Sequence, residues 1–472
     1  MVIDQTNNII IIACYEQLML IYNTLTRRLQ EFNEMHRGRV NLFVCGPTVQ
    51  DHFHIGHART YIFFDAVAKF LKLEGYSVFY LQNITDIDDK IINRAKEMGI
   101  EPSEVAKIYF SEFQEDMKRL KVDSVNFFAR ATLYIDEIVS QISRMMEKGY
   151  AYETDDGVYF EVRKFKDYGE LSNQSLDQII AGYRVAVNEN KRNPEDFVLW
   201  KKKKAGEPSW PSPWGEGRPG WHIEDTAITE TYFGDEYDIH GGGSDLIFPH
   251  HEAEIAQMRS ISGKRYLAHY WIHTGMININ KEKMSKSLKN FITIRDILKD
   301  YRPEDLRFAI LNANYRTQIE FSKELMEESK KLIDYINDTY RKLEYVNGSG
   351  NFKIDVNSVI SEMRSLAEND FDFHSVIVKL LAITGEINRN FEGINKEVAE
   401  ELKKVYLWVD TFLGILEQKK EVSKGIVDDL VELRTRMRKE KNFLISDAIR
   451  DVLKKNGIHI EDRGDVTVWW QE

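Results

Sequence analysis

The strand, turn and helix between Val40 and Leu73 constrain this chain more than any other passage. Val40-Asn41-Leu42-Phe43-Val44 is short and apolar, which predicts a buried strand. From Ala58 to Leu73 apolar residues recur at helical spacing until Gly75 stops them. Ile62, Phe63, Ala66, Val67, Phe70 and Leu71 fall on one face of that helix, and Ser77 to Leu81 reads as the next strand, so the passage predicts a βαβ unit of a parallel sheet. Ligands of such sheets bind beyond the carboxyl ends of the strands, where the loop from Cys45 to His57 falls. The helix N-terminus there favours negative charge. His54 and His57 flank Ile55-Gly56 and would set two imidazoles beside a bound phosphate, where donors stabilise charge on a transferring phosphoryl group. Alone, H-x-G-H is equally a loop with surface histidines.

A second basic feature follows the apolar stretch Trp271 to Ile279: K-M-S-K-S at residues 283–287, with Lys283 and Lys286 as its ammonium groups. By itself it reads as a solvated turn. Together, H-I-G-H and K-M-S-K-S resemble the paired signatures of class I aminoacyl-tRNA synthetases. The text between them narrows the resemblance. C-G-P-T-V from Cys45, N-I-T-D-I-D-D-K from Asn83, K-R-N-P-E-D-F-V-L-W-K from Lys191, G-R-P-G-W-H-I-E from Gly217 and H-G-G-G-S-D-L-I-F-P-H-H-E from His240 are similar to cysteinyl-tRNA synthetase, over residues 19 to 472. The resemblance implies an α/β fold: a Rossmann-like parallel-sheet catalytic domain split by an insertion, followed by a helical bundle and a small α+β C-terminal module. Its expected parts are a catalytic domain in two halves, 19–123 and 220–265, with a connective insertion at 124–219. A linker region carrying K-M-S-K-S at 266–322, a tRNA-binding bundle at 323–420 and an anticodon-binding module at 421–472 complete it.

The chain of 472 residues, 43% hydrophobic and 30% charged, is ordinary for a folded protein of two or more domains. Its net charge of −12 argues against indiscriminate nucleic-acid binding, while leaving room for a local basic patch. Cys14 and Cys45 are too few for a disulfide framework, which fits a reducing, cytoplasmic setting. Ile9 to Ile12 is far too short to span a membrane, so neither secretion nor insertion is expected.

Taken in order, Asp86, Asp88 and Asp89 suit the first turn of a helix better than a calcium loop. A helix from Tyr134 to Lys148 and a hairpin from Tyr152 to Val162, turned by Asp155-Asp156-Gly157, are expected in the insertion. The lysine run 201–204 precedes a long Pro/Gly-rich loop and is either a contact for RNA phosphates or a solvated charge run. The sheet is expected to resume with Trp221 to Asp225 and Tyr237 to His240, and a helix to start near Pro249. Helical periodicity then covers 305–312, 323–343, 359–367, 375–390 and 396–416. The C-terminal module joins Arg434, Arg436, Arg438, Lys439 and Lys441 to an aromatic tail, Trp469 and Trp470, a combination suited to unpaired bases and their phosphates.

His250 and Glu254 stand at i and i+4, which is ligand spacing or a buried hydrogen bond. The resemblance implies a zinc site, one ion per chain, at Cys45, Asp225, His250 and Glu254, with Asp225 where the family has a second cysteine. It implies ATP, with Mg²⁺, at His54, Gly56, His57, Gly241, Gly243, Asp245 and Lys286. The catalytic set it implies is His54, His57, Lys283 and Lys286. Cysteine is expected against Gly46, Thr48, Thr85, Trp221 and His240, with Thr85 alternatively a helix cap. The implied reaction is ATP-dependent ligation of L-cysteine to tRNA-Cys by a monomer. The rivals are a paralogue that ligates an amino acid to a small-molecule amine and an inactive tRNA-binding relative. Gln50 and Lys289 depart from the family's usual tyrosine and glycine.

Residues 1–18 precede Met19, which looks like the family's usual first residue. A chain beginning at Met19 should keep the unfolding midpoint of the full chain; a large drop would make the extension structural.

Overall fold

The computed structural model describes residues 18–182, 190–279, 282–283, 291–346, 350–417, 424–463 and 466–471. Two compact units divide the chain, Met1–Leu416 and Glu417–Glu472. The first opens on an antiparallel pair, β1 (Leu20–Asn23) and β2 (Arg28–Glu31). The expected βαβ unit follows as β3 (Arg39–Val44), α1 (Ile55–Leu73) and β4 (Ser77–Ile84). Helices α2 (Asp89–Met98) and α3 (Pro102–Arg119) lead to β5 (Phe127–Arg130). Helix α4 (Ile135–Glu147), strands β6 (Ala151–Glu153) and β7 (Gly157–Phe160), helix α5 (Leu176–Gly182) and strands β8 (Phe197–Lys202) and β9 (Gly217–Pro219) form the insertion. Its strands make one sheet in the order β6-β7-β8-β9. The main domain resumes with α6 (Ile223–Phe233), β10 (Tyr237–Gly243), α7 (Glu252–Ser262), β11 (Ala268–Thr274) and the short β12 (Ile277–Ile279).

The main sheet has the order β11-β10-β3-β4-β5, every neighbour parallel. Alternation along the strands feeds two cores. Leu42, Val44, Tyr80 and Ile84 face α1 and α3, while Phe43, Leu81, Ala129 and Trp271 face α4, α6 and α7. Chain order reverses between β3 and β10, so a cleft opens at their carboxyl ends.

Three readings of the sequence need correction. Ala268–Thr274 is the edge strand of the main sheet, paired with Tyr237–Gly243, so the second half of the catalytic domain extends past residue 265 into the expected linker region. Phe127–Arg130 belongs to the main sheet, paired with Leu81–Ile84, so the insertion starts later than residue 124. The stretch after His222 is a helix, not a strand. Glu224 and Asp225 sit in its first turn, Ile223, Ala227 and Ile228 are buried at helical spacing, and Gly234 caps it at φ 84°. The lysine run is largely paired within the chain: Lys201 with Asp89, Lys202 with Glu153 at 2.7 Å and Lys203 with Glu216 at 3.1 Å.

Helices Pro303–Leu311, Lys323–Lys342, Val356–Glu368, Phe373–Arg389 and Lys396–Leu413 follow, close to the spans that periodicity suggested. The second unit holds helices Lys424–Lys439 and Phe443–Lys455 and a hairpin of Ile458–Arg463 with Val466–Gln471. There Trp469 packs on the unit's own core and donates to Asp428 at 2.7 Å, and Arg434 forks onto Asp462 at 2.8 and 2.9 Å. These two side chains thus serve the module's own structure.

Fourteen of the nineteen residues of α1 are buried, so its acid, Asp65, has to be matched from neighbouring elements. Arg307 does this at 2.9 Å, both side chains fully buried, and donates also to the Leu413 carbonyl at 2.6 Å and the Leu120 carbonyl at 3.1 Å. Ser124 Oγ donates to the same carboxylate at 2.7 Å. Burial pushes the Asp65 carboxyl up, but Arg307 and Lys69 outweigh it and hold it below its usual range. Arg307→Met should therefore lower unfolding free energy by about 3–5 kcal/mol, the cost of an uncompensated buried charge. Asp65→Asn with Arg307→Met should cost less than the sum of the single changes in denaturant unfolding. Additive losses would show that the two side chains act separately.

Candidate functional site

The cleft beyond β3 and β10 has a volume of about 350 Å³, and its wall includes Cys45, Gly46, Thr48, His54, Gly56, His57, Trp221, Gly243 and Asp245. Sequence reading named all nine. Gly46 lies against β4: a Cβ there would fall 1.7 Å from the Asn83 carbonyl oxygen. His54 caps α1, its Nδ1 accepting from the Gly56 amide at 3.1 Å. The His54 and His57 rings stack at 3.6 Å. Burial first, and then His57, pushes His54 down to about 2; burial and Lys90 push His57 down to about 4. Both imidazoles are thus neutral near pH 7, each offering one N–H. The segment after K-M-S-K-S reaches this turn. The Ile55 amide donates to the Ile292 carbonyl at 3.2 Å, the Ile294 amide to the Phe53 carbonyl at 3.0 Å, and Phe291 packs edge-on against His54 at 4.9 Å. Lys283 ends the strand Glu282–Lys283, paired with β12. Lys286 lies outside the described residues.

The other residues expected at the cleft lie behind its wall. Thr85 is buried, donates its hydroxyl to Glu224 at 2.7 Å, and is no helix cap; Asp88 caps α2 instead. His240 is fully buried, with Nδ1 2.7 Å from the Tyr237 hydroxyl and its ring stacked on Trp271 at 4.1 Å. Gly241 serves packing: a Cβ there would fall 2.3 Å from the Phe64 ring of α1.

The four expected metal ligands converge at one edge of the cleft. Cys45 follows β3 directly, Asp225 sits in the first turn of α6, His250 in the turn before α7 and Glu254 in the first turn of α7. His250 Nε2 lies 3.0 Å from Asp225 Oδ2, 3.3 Å from Glu254 Oε1 and 3.4 Å from Cys45 Sγ; Cys45 Sγ lies 3.4 Å from Asp225 Oδ2. Asp225 Oδ1 and both Glu254 oxygens are buried without hydrogen-bond partners. Burial, then Asp225, pushes the Cys45 thiol well up, and burial, then Asp225, does the same to the Glu254 carboxyl. Such a set is costly without a cation and suited to one. Residues among these can hold a metal ion. Of the four, Cys45 lines the cleft.

Sequence reading missed His222 and His251 as site residues. His222 Nδ1 lies 2.9 Å from His250 Nδ1, so it orients that ring from outside, and Trp221 stacks on the same ring at 4.2 Å. The doublet His250-His251 was the available signal for the second. Its spacing could not say which imidazole turns inward.

Parallel sheet, histidine turn and switch-point cleft together define a class I aminoacyl-tRNA synthetase. The family described as tRNA synthetases class I (C) catalytic domain matches residues 31–331. The chain belongs to the cysteine–tRNA ligases: it is 69% identical to that enzyme of Thermoplasma acidophilum over 96% of this chain and all of that one, and 45% identical to that of Thermococcus gammatolerans over 95% and 98%. Among solved structures, Mycobacterium tuberculosis methionyl-tRNA synthetase in complex with methionyl-adenylate shares the fold, with TM-score 0.59 at 16% identity over 80% of this chain and 90% of that one. Among the described residues no helix is long and apolar enough to cross a membrane.

Bound zinc per chain should approach one in the unmodified protein. Asp225→Ala should lower it, and Asp225→Cys should retain it with tighter binding, since a thiolate replaces a carboxylate. Equal zinc in all three proteins would remove Asp225 from the ligand set.

Proposed function

We propose that the chain activates L-cysteine with ATP and transfers it to the 3′ end of tRNA-Cys, as a cytoplasmic monomer. The observation that carries this reading is the convergence of Cys45, Asp225, His250 and Glu254 in one buried cluster, of which Cys45 lines the cleft that holds His54 and His57. A zinc ion held by those four would take a substrate thiol as thiolate, a bond that the hydroxyl of serine cannot match.

The cysteine carboxylate attacks the α-phosphorus of ATP, accompanied by Mg²⁺. The bond to pyrophosphate breaks, giving cysteinyl-adenylate. A terminal ribose hydroxyl of the tRNA then takes the acyl group, and AMP leaves. No side chain forms a covalent bond; positioning and electrostatics supply the acceleration. His54 and His57, neutral donors at the N-terminus of α1, face the phosphates, and Lys283 and Lys286 stabilise charge on the leaving pyrophosphate. Gly56 and Gly243 admit the nucleotide close to the backbone, with Gly241 behind them, and Asp245 accepts from ribose hydroxyls. Gly46, Thr48 and Trp221 surround the amino acid, while Thr85 and His240 act from behind the wall. Likeness to cysteine–tRNA ligases through 96% of the chain, C-terminal unit included, disfavours a small-molecule ligase. Intact His54 and His57 disfavour an inactive relative.

Cysteine, and not serine, should support exchange of pyrophosphate into ATP; equal exchange with serine would overturn the assignment. Lys286→Ala should slow that exchange by about 10²-fold or more with little change in the cysteine KM, the pattern of a group needed where charge develops. An unchanged rate would remove Lys286 from the mechanism.

A further inference from the structure

The four donors at the cleft edge do not exhaust the cluster. His251 follows His250 and is fully buried. Its imidazole joins Cys45 and His250 in a group whose ligand atoms all lie within 4.8 Å of one another, and joins His240 and Glu254 in a second such group. Its Nε2 has no hydrogen-bond partner and lies 3.9 Å from Glu254 Oε1. Its Nδ1 lies 2.8 Å from His273 Nε2, and His273 Nδ1 lies 2.9 Å from Thr24 Oγ1.

This relay has two proton arrangements. If His273 Nε2 donates to His251 Nδ1, the proton of His251 sits on Nε2, buried without a hydrogen-bond acceptor and 3.9 Å from Glu254 Oε1. If instead His251 Nδ1 donates to His273 Nε2, and His273 Nδ1 donates to the Thr24 hydroxyl, every ring N–H is satisfied. The lone pair of His251 Nε2 is then left facing the cluster. The second arrangement avoids an unmatched buried donor, a cost of about 1–3 kcal/mol. It is also the way an outer hydrogen bond fixes the tautomer of a metal-ligating histidine. The backbone makes room for the ring: a Cβ on Gly242 would fall 2.7 Å from His251 Cε1.

We infer that His251 is a fifth metal ligand in this chain, giving one sulfur from Cys45, two imidazole nitrogens from His250 and His251, and two carboxylate oxygens from Asp225 and Glu254. The inference rests on the metal reading proposed above. Cys45, Asp225 and Glu254 already bring three potential negative charges to a divalent ion, so a further donor adds least repulsion if it is neutral. An imidazole is also softer than the oxygen that Asp225 supplies, and recovers part of what the lost thiolate would have given. His251 lies off the cleft wall while Cys45 lies on it, so the additional ligand leaves the substrate side of the ion open.

The test uses the full chain loaded with zinc alone and X-ray absorption at the zinc edge. One sulfur at about 2.3 Å with two imidazoles is the expected shell. In His251→Gln the shell should fall to one imidazole, and zinc affinity, read by competition with a chelator, should drop by about tenfold or more. The unmodified chain decides the matter even if that variant fails to fold. Bound zinc with a single imidazole overturns the inference and leaves the metal reading intact. No bound zinc at all overturns both.

Discussion

A helix buried on nearly every side can keep a charged side chain only if a partner reaches it from another element. In α1 that residue is Asp65, and Arg307 answers it while also donating to carbonyls at the ends of the α3 and Lys396–Leu413 helices. One guanidinium thus joins the nucleotide-binding sheet to the helices that follow it. The dependence extends to the proposed site, because the N-terminal end of α1 presents His54 and His57. Arg59, two residues from His57, donates to the Met276 carbonyl at 2.7 Å and to the Thr317 and Tyr315 carbonyls, so the histidine end is pinned as well. If the two imidazoles meet a phosphate, as proposed, their cap needs such a rigid support.

The cluster proposed to hold a metal obeys the opposite electrostatic rule. Asp65 is stable because its counter-charge belongs to the protein. Cys45, Asp225 and Glu254 meet in a dry interior where the nearby protein groups are imidazoles, which burial keeps uncharged at His222, His240 and His251. Burial therefore drives the Cys45 thiol and the Glu254 carboxyl toward their protonated forms, and a divalent ion would reverse that direction. Replacing a thiolate by Asp225 keeps the charge and hardens the site. For the proposed metal, the consequence would fall on affinity and ligand number.

Much of this could be read from one dimension. The βαβ unit around the histidine turn was legible because its apolar residues repeat at periods of two and 3.6, and the helices after Pro303 for the same reason. Of the nine cleft residues, His54, Gly56 and His57 were legible from the strand-turn-helix itself, and the others through the motifs that resemble the family. What failed did so for identifiable reasons. Trp221 to Asp225 mixes aromatic, β-branched and acidic residues without a clear period, and its helix is set by burial of Ile223 and Ala227 against α4 and α7. Lys201 to Lys203 looked available for RNA until Asp89, Glu153 and Glu216 were found opposite them. Trp469 looked like a stacking platform, but its hairpin register places it opposite Ile460, over the module's own core.

The division between the two levels follows from the range of the forces. The sequence by itself determined the strand-turn-helix around His54 and His57, the glycines where backbone must approach backbone, and the i, i+4 spacing of His250 and Glu254; Cys45 and Asp225 joined them through motifs that resemble the family. The first three are matters of local sterics, periodicity and side-chain chemistry. Only the tertiary structure decided that those four share one dry pocket, that Thr85 turns to Glu224 and His240 to Tyr237, and that His251 points its unpartnered nitrogen at the cluster. Each of these joins residues from different elements, and in a medium of low dielectric a shift of one ångström or a change of tautomer alters which groups can carry charge.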